Sequence, residues 1–170
     1  MSSQKPNSDR SHTIAVLVDN EPGVLARVIG LFAGRGYNIE SLTVSEVDAI
    51  KGYSRITIVT SGTDMVIEQI KALLDRLVPV HMVEDLTVQG PCLERELALV
   101  KVVNAGESRI EALRIADMFR ARAIDSTLNS FVFELTGSPK KLNAFIELMS
   151  GLGKTEITRG GVVAMARGSG

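Results

Sequence analysis

Apolar residues fall in short blocks that switch between a strand-like and a helical period. Thr13 to Val18 is a β-branched and aliphatic run that ends at Asp19-Asn20-Glu21-Pro22-Gly23, a cluster of turn and helix-start residues, so a strand feeds a helix. From there Val24, Leu25, Val28, Ile29, Leu31 and Phe32 make one helical stripe, and Gly34 and Gly36 supply the stop. Asn38 to Val47 and Tyr53 to Thr60 read as two strands, with Asp48 to Gly52 as the hairpin loop between them. Asp64 is expected to cap a second helix carrying Val66, Ile70, Leu73 and Leu77; Pro79 ends it, and Val80 to Val88 is a further strand.

After Gln89-Gly90-Pro91-Cys92 the same order returns. Leu97 to Val103 is a strand, and Ser108 to Phe119 a helix whose predicted inner stripe is Ile110, Leu113 and Ala116. Ala123 to Leu128 and Ser130 to Thr136 form a strand pair turning at Asn129. Ser138-Pro139 is an N-cap followed by a first-turn proline, and Leu142, Phe145, Ile146 and Met149 form the last helical stripe. Thr155 to Ala166 closes the repeat as a strand bent at Gly160-Gly161. The pattern is β-α-β-β-α-β written twice. It predicts an α+β protein of two ferredoxin-like βαββαβ domains in tandem: a disordered tail over 1–11, a first domain over 12–88, a linker over 89–94 and a second domain over 95–167.

Domains this small bury only about 60% of their unfolded surface. The first strand also has apolar residues on both faces, so Leu17 calls for cover from another domain or a second copy, and an oligomer is expected.

Composition narrows the function. Of 170 residues 45% are hydrophobic, enough for a core and too many for a disordered chain. Lys+Arg number 19 against 20 Asp+Glu, with no like-charge block, so the electrostatic footprint of a nucleic-acid binder is missing. No segment approaches the ~18 apolar residues of a membrane span, and the polar start lacks the apolar stretch of a signal peptide, which points to a cytoplasmic protein. Cys92 is the only cysteine, which excludes an internal disulfide and a cysteine-based zinc site.

Candidate chemistry is sparse. His12 and His81, the two histidines, have no acidic residue at a repeating ligand spacing and read as surface or strand-edge residues. Gly153-Lys154-Thr155 imitates the end of a phosphate-binding loop, but Leu148 stands where that loop needs a glycine. Arg159-Gly160-Gly161 reads as a strand bulge. No catalytic or metal-ligating set emerges.

One constellation suits a ligand: the turn Asp19 to Leu25, taken with Tyr37-Asn38-Ile39. A helix N-terminus offers free N–H groups and partial positive charge to a carboxylate, and Gly23 has no Cβ to block the approach. Asn20 and Asn38 carry both donors and acceptors, which suits a zwitterion, and Val24, Leu25 and Ile39 could wall an aliphatic side chain. The same turn is also an ordinary way to begin a helix.

The stretches NEPGVLARV and RGYNIESLTV, within Val16 to Val44, resemble the opening of an ACT domain of one kind, that of the small regulatory subunit of acetolactate synthase (acetohydroxyacid synthase). The resemblance continues through Arg55-Ile56-Thr57-Ile58, Glu94 to Lys101 and Ser138 to Leu142. It implies an ACT domain followed by a second ferredoxin-like domain, and a homodimer through ACT domains. Valine or a related branched-chain amino acid would bind between them at Asn20, Gly23 and Asn38. It further implies a separate large catalytic subunit, which holds thiamine diphosphate, magnesium and FAD, with no cofactor on this chain. Feedback inhibition by valine and activation of the catalytic subunit are the expected roles. The alternatives are an ACT-type amino-acid sensor, or an assembly scaffold, serving another biosynthetic enzyme.

Overall fold

The computed structural model describes residues 9–169. Most of the expected tail lies outside them, while Arg10 and Ser11 are already in the first strand. The elements are β1 (Arg10–Asp19), α1 (Val24–Gly34), β2 (Ser41–Asp48), β3 (Tyr53–Gly62), α2 (Asp64–Asp75), β4 (Val80–Asp85), β5 (Cys92–Val103), α3 (Glu107–Phe119), β6 (Arg122–Ser126), β7 (Ser130–Gly137), α4 (Pro139–Ser150), β8 (Lys154–Arg159) and β9 (Val163–Ala166). The chain divides into two compact units: the first ends at Leu93 and resumes at Val162, and the second is Glu94–Gly161.

In the first unit an antiparallel sheet runs β2-β3-β1-β4, so the sequence-adjacent pair β2 and β3 lies to one side and β1 is central. Ile14, Val16 and Val18 of β1 and Ile56 and Ile58 of β3 share one face with Val28 and Phe32 of α1 and Ile67, Ile70 and Leu74 of α2, and all are buried. Of the expected α2 stripe Ile70 is buried and Val66 and Leu77 pack against the core, while Leu74 and Ile67 complete the buried face in place of Leu73. The α2 cap is Thr63, whose hydroxyl accepts from Val66 N–H at 3.3 Å, in place of Asp64.

The opposite face of this sheet is partly covered by the end of the chain itself. Val162 N–H donates to Ser41 Oγ (2.8 Å), Thr43 Oγ1 donates to the Val162 carbonyl (3.0 Å) and Arg55 Nη2 to the Ala164 carbonyl (3.0 Å). Ala15, Leu86 and Ala164 form a small core there, with Cys92 packed against it. Cys92 is thus the first residue of β5 and is half-buried, where the sequence placed it in a linker. Cover for the second face of β1 comes at Ala15 from within the chain, and Leu17 stays half-buried.

The second unit repeats the order β6-β7-β5-β8. Its core joins Ala98, Val100 and Val102, Phe131, Phe133 and Leu135, Ala112, Ile115 and Ala116, and Leu142, Phe145 and Met149. The predicted α3 stripe is corrected: Ile110 and Leu113 are exposed, and the small Ala112 and Ala116 let the helix lie close to the sheet. Ser138 caps α4 and Pro139 starts it, as expected from sequence. Gly160-Gly161 ends β8, where Arg159 donates to Glu96 Oε1 and Gly161 N–H to Glu96 Oε2 (3.0 Å). The expected closing strand 155–166 is therefore two strands, and its last piece lies with the first compact unit although the sequence repeat includes it.

His12 is corrected from surface to interior. It is 5% exposed, and its Nδ1 lies 2.8 Å from Asp85 Oδ2. The glycine of the Gly-Lys-Thr sequence has a packing reason: a Cβ at Gly153 would lie 2.3 Å from the Val103 carbonyl oxygen.

Phe145 is fully buried against Phe119 and Phe133. Phe145→Ala is expected to cost about 3–5 kcal/mol, whereas Ile110→Ala should stay within about 0.5 kcal/mol; urea denaturation of the two variants checks the reassigned α3 face.

Candidate functional site at the ends of the first helix

The turn between β1 and α1 is held by backbone bonds that leave the helix end open. Asp19 N–H donates to the Pro79 carbonyl (2.9 Å) and Asn20 N–H to the Gly52 carbonyl (2.7 Å), which ties the turn to the end of the sheet. Gly23 is the N-cap at φ 86°, has no capping side chain, and a Cβ built on it meets nothing within 4 Å. The first turn of α1 carries no acidic side chain. By helix geometry, the N–H groups of Leu25 and Ala26 point out of this end toward a prospective anion.

Asn20 is exposed, and its Nδ2 donates to Glu46 Oε2 at 2.5 Å. Beside it His81 Nε2 lies 2.6 Å from Asp19 Oδ1, and the His81 ring rests on Tyr53 with centroids 4.6 Å apart. These three partners went unread in the sequence. Their residues lie 26 to 62 positions apart, so only the β2-β3-β1-β4 order brings them together.

Of the apolar residues expected around a ligand, Val24 is buried and serves the core, and Leu25 is the one turned outward. Ile39 is half-buried against the core. Asn38 is exposed, and its carbonyl accepts from Thr60 Oγ1 at 2.6 Å.

The two asparagines stand far apart within one chain. Asn20 is tied to Gly52 and Asn38 to Thr60, eight residues along β3, which is roughly 25 Å of strand. The reason is that α1 returns antiparallel to β1: Gly23 lies at one end of its 11 residues and Asn38 beyond the other. Between these two points runs β2, the edge strand of the sheet, with Val44 and Val47 exposed. Asn20, Gly23 and Leu25 are thus one cluster, and Asn38 and Ile39 another.

A protein-family model described as an acetohydroxyacid synthase (AHAS) small subunit-like ACT domain matches residues 14–82, and one described as the small subunit of acetolactate synthase matches residues 95–168. The chain belongs to the acetolactate synthase small-subunit family. A probable acetolactate synthase small subunit of Archaeoglobus fulgidus is 48% identical over 158 residues, 93% of this chain and 98% of that one. The acetolactate synthase isozyme 3 small subunit of Escherichia coli is 45% identical over 156 residues, 91% of this chain and 94% of that one. A crystal structure of the acetolactate synthase small subunit from Thermotoga maritima superposes with a TM-score of 0.83 at 39% identity, covering 94% of this chain and 99% of that one. As a member of the acetolactate synthase small-subunit family the chain is a regulatory, non-catalytic subunit that works with a catalytic one, and its fold is of the ACT type. Among the described residues no group of three or more His, Cys, Asp or Glu is placed to hold a metal ion, and no helix is long and apolar enough to cross a membrane.

Gly23 and Gly30 give opposite expectations at sites with equal space. Gly23→Ala forces a left-handed backbone on alanine and should cost about 1–2 kcal/mol. Gly30→Ala lies inside α1 with nothing within 4 Å of the new Cβ and should stabilise by about 0.5–1 kcal/mol. Chemical denaturation of both variants reads the difference in sign.

Proposed function

We propose that two copies of this chain pair through their β2 edges and bind valine, or another branched-chain amino acid, in two equivalent sites between them, and so make the catalytic subunit responsive to its end product. The observation that carries this reading is the separation of Asn20 and Gly23 from Asn38 along β2, an edge strand paired on one side only. β2 starts three residues after Asn38 and ends beside Asn20. If two such edges pair antiparallel about a two-fold axis, the start of one lies against the end of the other. Asn38 of the partner subunit then reaches the α1 N-terminus, and Leu25 supplies an apolar contact.

In this site the α1 N–H groups take the ligand carboxylate, and the amide of Asn38 adds a second donor. Valine changes activity to the extent that it binds the inhibited arrangement of the complex more tightly than the active one. A coupling of about 1–3 kcal/mol is the usual range for such a device. Without valine the small subunit favours the productive form of its catalytic partner. That partner carries the thiamine diphosphate, magnesium and FAD, and this chain holds none of them. A pure scaffold would bind no amino acid, and titration separates the two.

The test is complementation. Asn20→Ala and Asn38→Ala each remove a hydrogen bond to a charged group, about 1.5–3 kcal/mol, so each homodimer should bind valine about 10- to 150-fold more weakly. A mixed dimer of the two variants then contains one site with both lesions and one with neither. Calorimetry should find wild-type affinity at one valine per mixed dimer. Weak binding in the mixed dimer would place both asparagines in one protomer's site, and unaltered binding in both homodimers would place the ligand elsewhere. Reconstituted enzyme carrying Asn38→Ala or Gly23→Asp should stay activated while resisting valine.

A further inference from the structure

We infer that Glu46 is a positioning and selectivity residue of the amino-acid site, one that fixes which end of the Asn20 amide meets the ligand and so favours ligands with an α-ammonium group. The inference rests on the site proposed above. Asn20 is an exposed side chain on a turn, and an amide there could present either its carbonyl or its NH₂ group. The Glu46 carboxylate removes that freedom. At 2.5 Å from Glu46 Oε2 only the NH₂ end is tolerated, because two acceptor oxygens at that distance repel each other.

With its NH₂ group engaged, Asn20 offers the carbonyl Oδ1, which accepts from an ammonium and is repelled by a carboxylate. Glu46 adds its own negative charge beside the same point. The positive end of α1 lies a few residues on, at an N-terminus with no acidic side chain in its first turn. Each site therefore has one negative and one positive pole, and a zwitterion fits in one orientation only. A carboxylic acid of the same shape but without the amino group satisfies the α1 end and gains nothing from Glu46. Glu46 is in β2 itself, at the end opposite Ser41, so β2 carries this determinant to the place where Asn38 of the partner subunit arrives.

L-valine and 3-methylbutanoate, which shares its skeleton and lacks the ammonium, are the two probes. They are titrated calorimetrically into the full-length wild type and into Glu46→Ala, Glu46→Gln and Asn20→Ala. Glu46→Ala should weaken valine about fivefold, the size of an exposed charge interaction, and leave 3-methylbutanoate no weaker. Glu46→Gln keeps an acceptor for the Asn20 amide without the charge and should fall between the alanine variant and wild type. Unchanged valine affinity in Glu46→Ala, or an equal loss of both ligands, overturns the role of Glu46. If Asn20→Ala also binds valine like wild type, the failure lies with the site itself; if Asn20→Ala is weakened and Glu46→Ala is not, it lies with Glu46 alone.

Discussion

The antiparallel return of α1 along β1 is the constraint from which the rest follows. A strand and the helix that covers it must run in opposite directions when joined by a short turn, so the residues before and after the helix end up at opposite ends of the sheet. Asn20 and Gly23 sit at one end and Asn38 at the other, and no side-chain rearrangement within one chain can bring them together. A ligand that uses both clusters needs two chains. The same topology leaves β2 at the edge of the sheet, with a row of backbone groups free to pair along its eight residues. The separation of the clusters and the free edge between them are two results of one chain path.

The second face of the sheet has a different solution. Apolar residues on both faces of β1 suggest a partner, but the chain's own final segment already packs on Ala15 and bonds to Ser41, Thr43 and Arg55. A second copy is therefore accommodated at the edge of β2 and not on the face of β1. Ser41 and Thr43 belong to that edge strand, so residues 162–166 also brace the strand that the proposed pairing uses.

Element order was legible in the sequence because strands and helices here differ in period and are separated by strong turn signals such as Glu21-Pro22-Gly23 and Ser138-Pro139. Facing was less so wherever small residues make the contact. Ala112, Ile115 and Ala116 hold α3 against its sheet while the large Ile110 and Leu113 point outward, so of the expected stripe only Ala116 faces the core. The burial of His12 was invisible because its partner, Asp85, is 73 residues away on β4. The site divides in the same manner. Turn chemistry and a family resemblance nominate Asn20, Gly23 and Asn38 as candidates. Glu46 and the pairing of His81 with Asp19 depend on strand order, which no local pattern encodes.

If a second copy of the chain completes the amino-acid site, linkage makes this measurable without altering a residue. A ligand that binds only the paired form must strengthen the pairing by mass action. Sedimentation equilibrium over a wide range of protein concentration, with and without saturating valine, gives the dissociation constant of the dimer in each state. At 100 times its own dissociation constant, valine bound at two shared sites should tighten the dimer by roughly 10⁴-fold, about 100-fold per site. A dimer constant that is the same with saturating valine bound would rule out shared sites, because valine would then bind each chain alone.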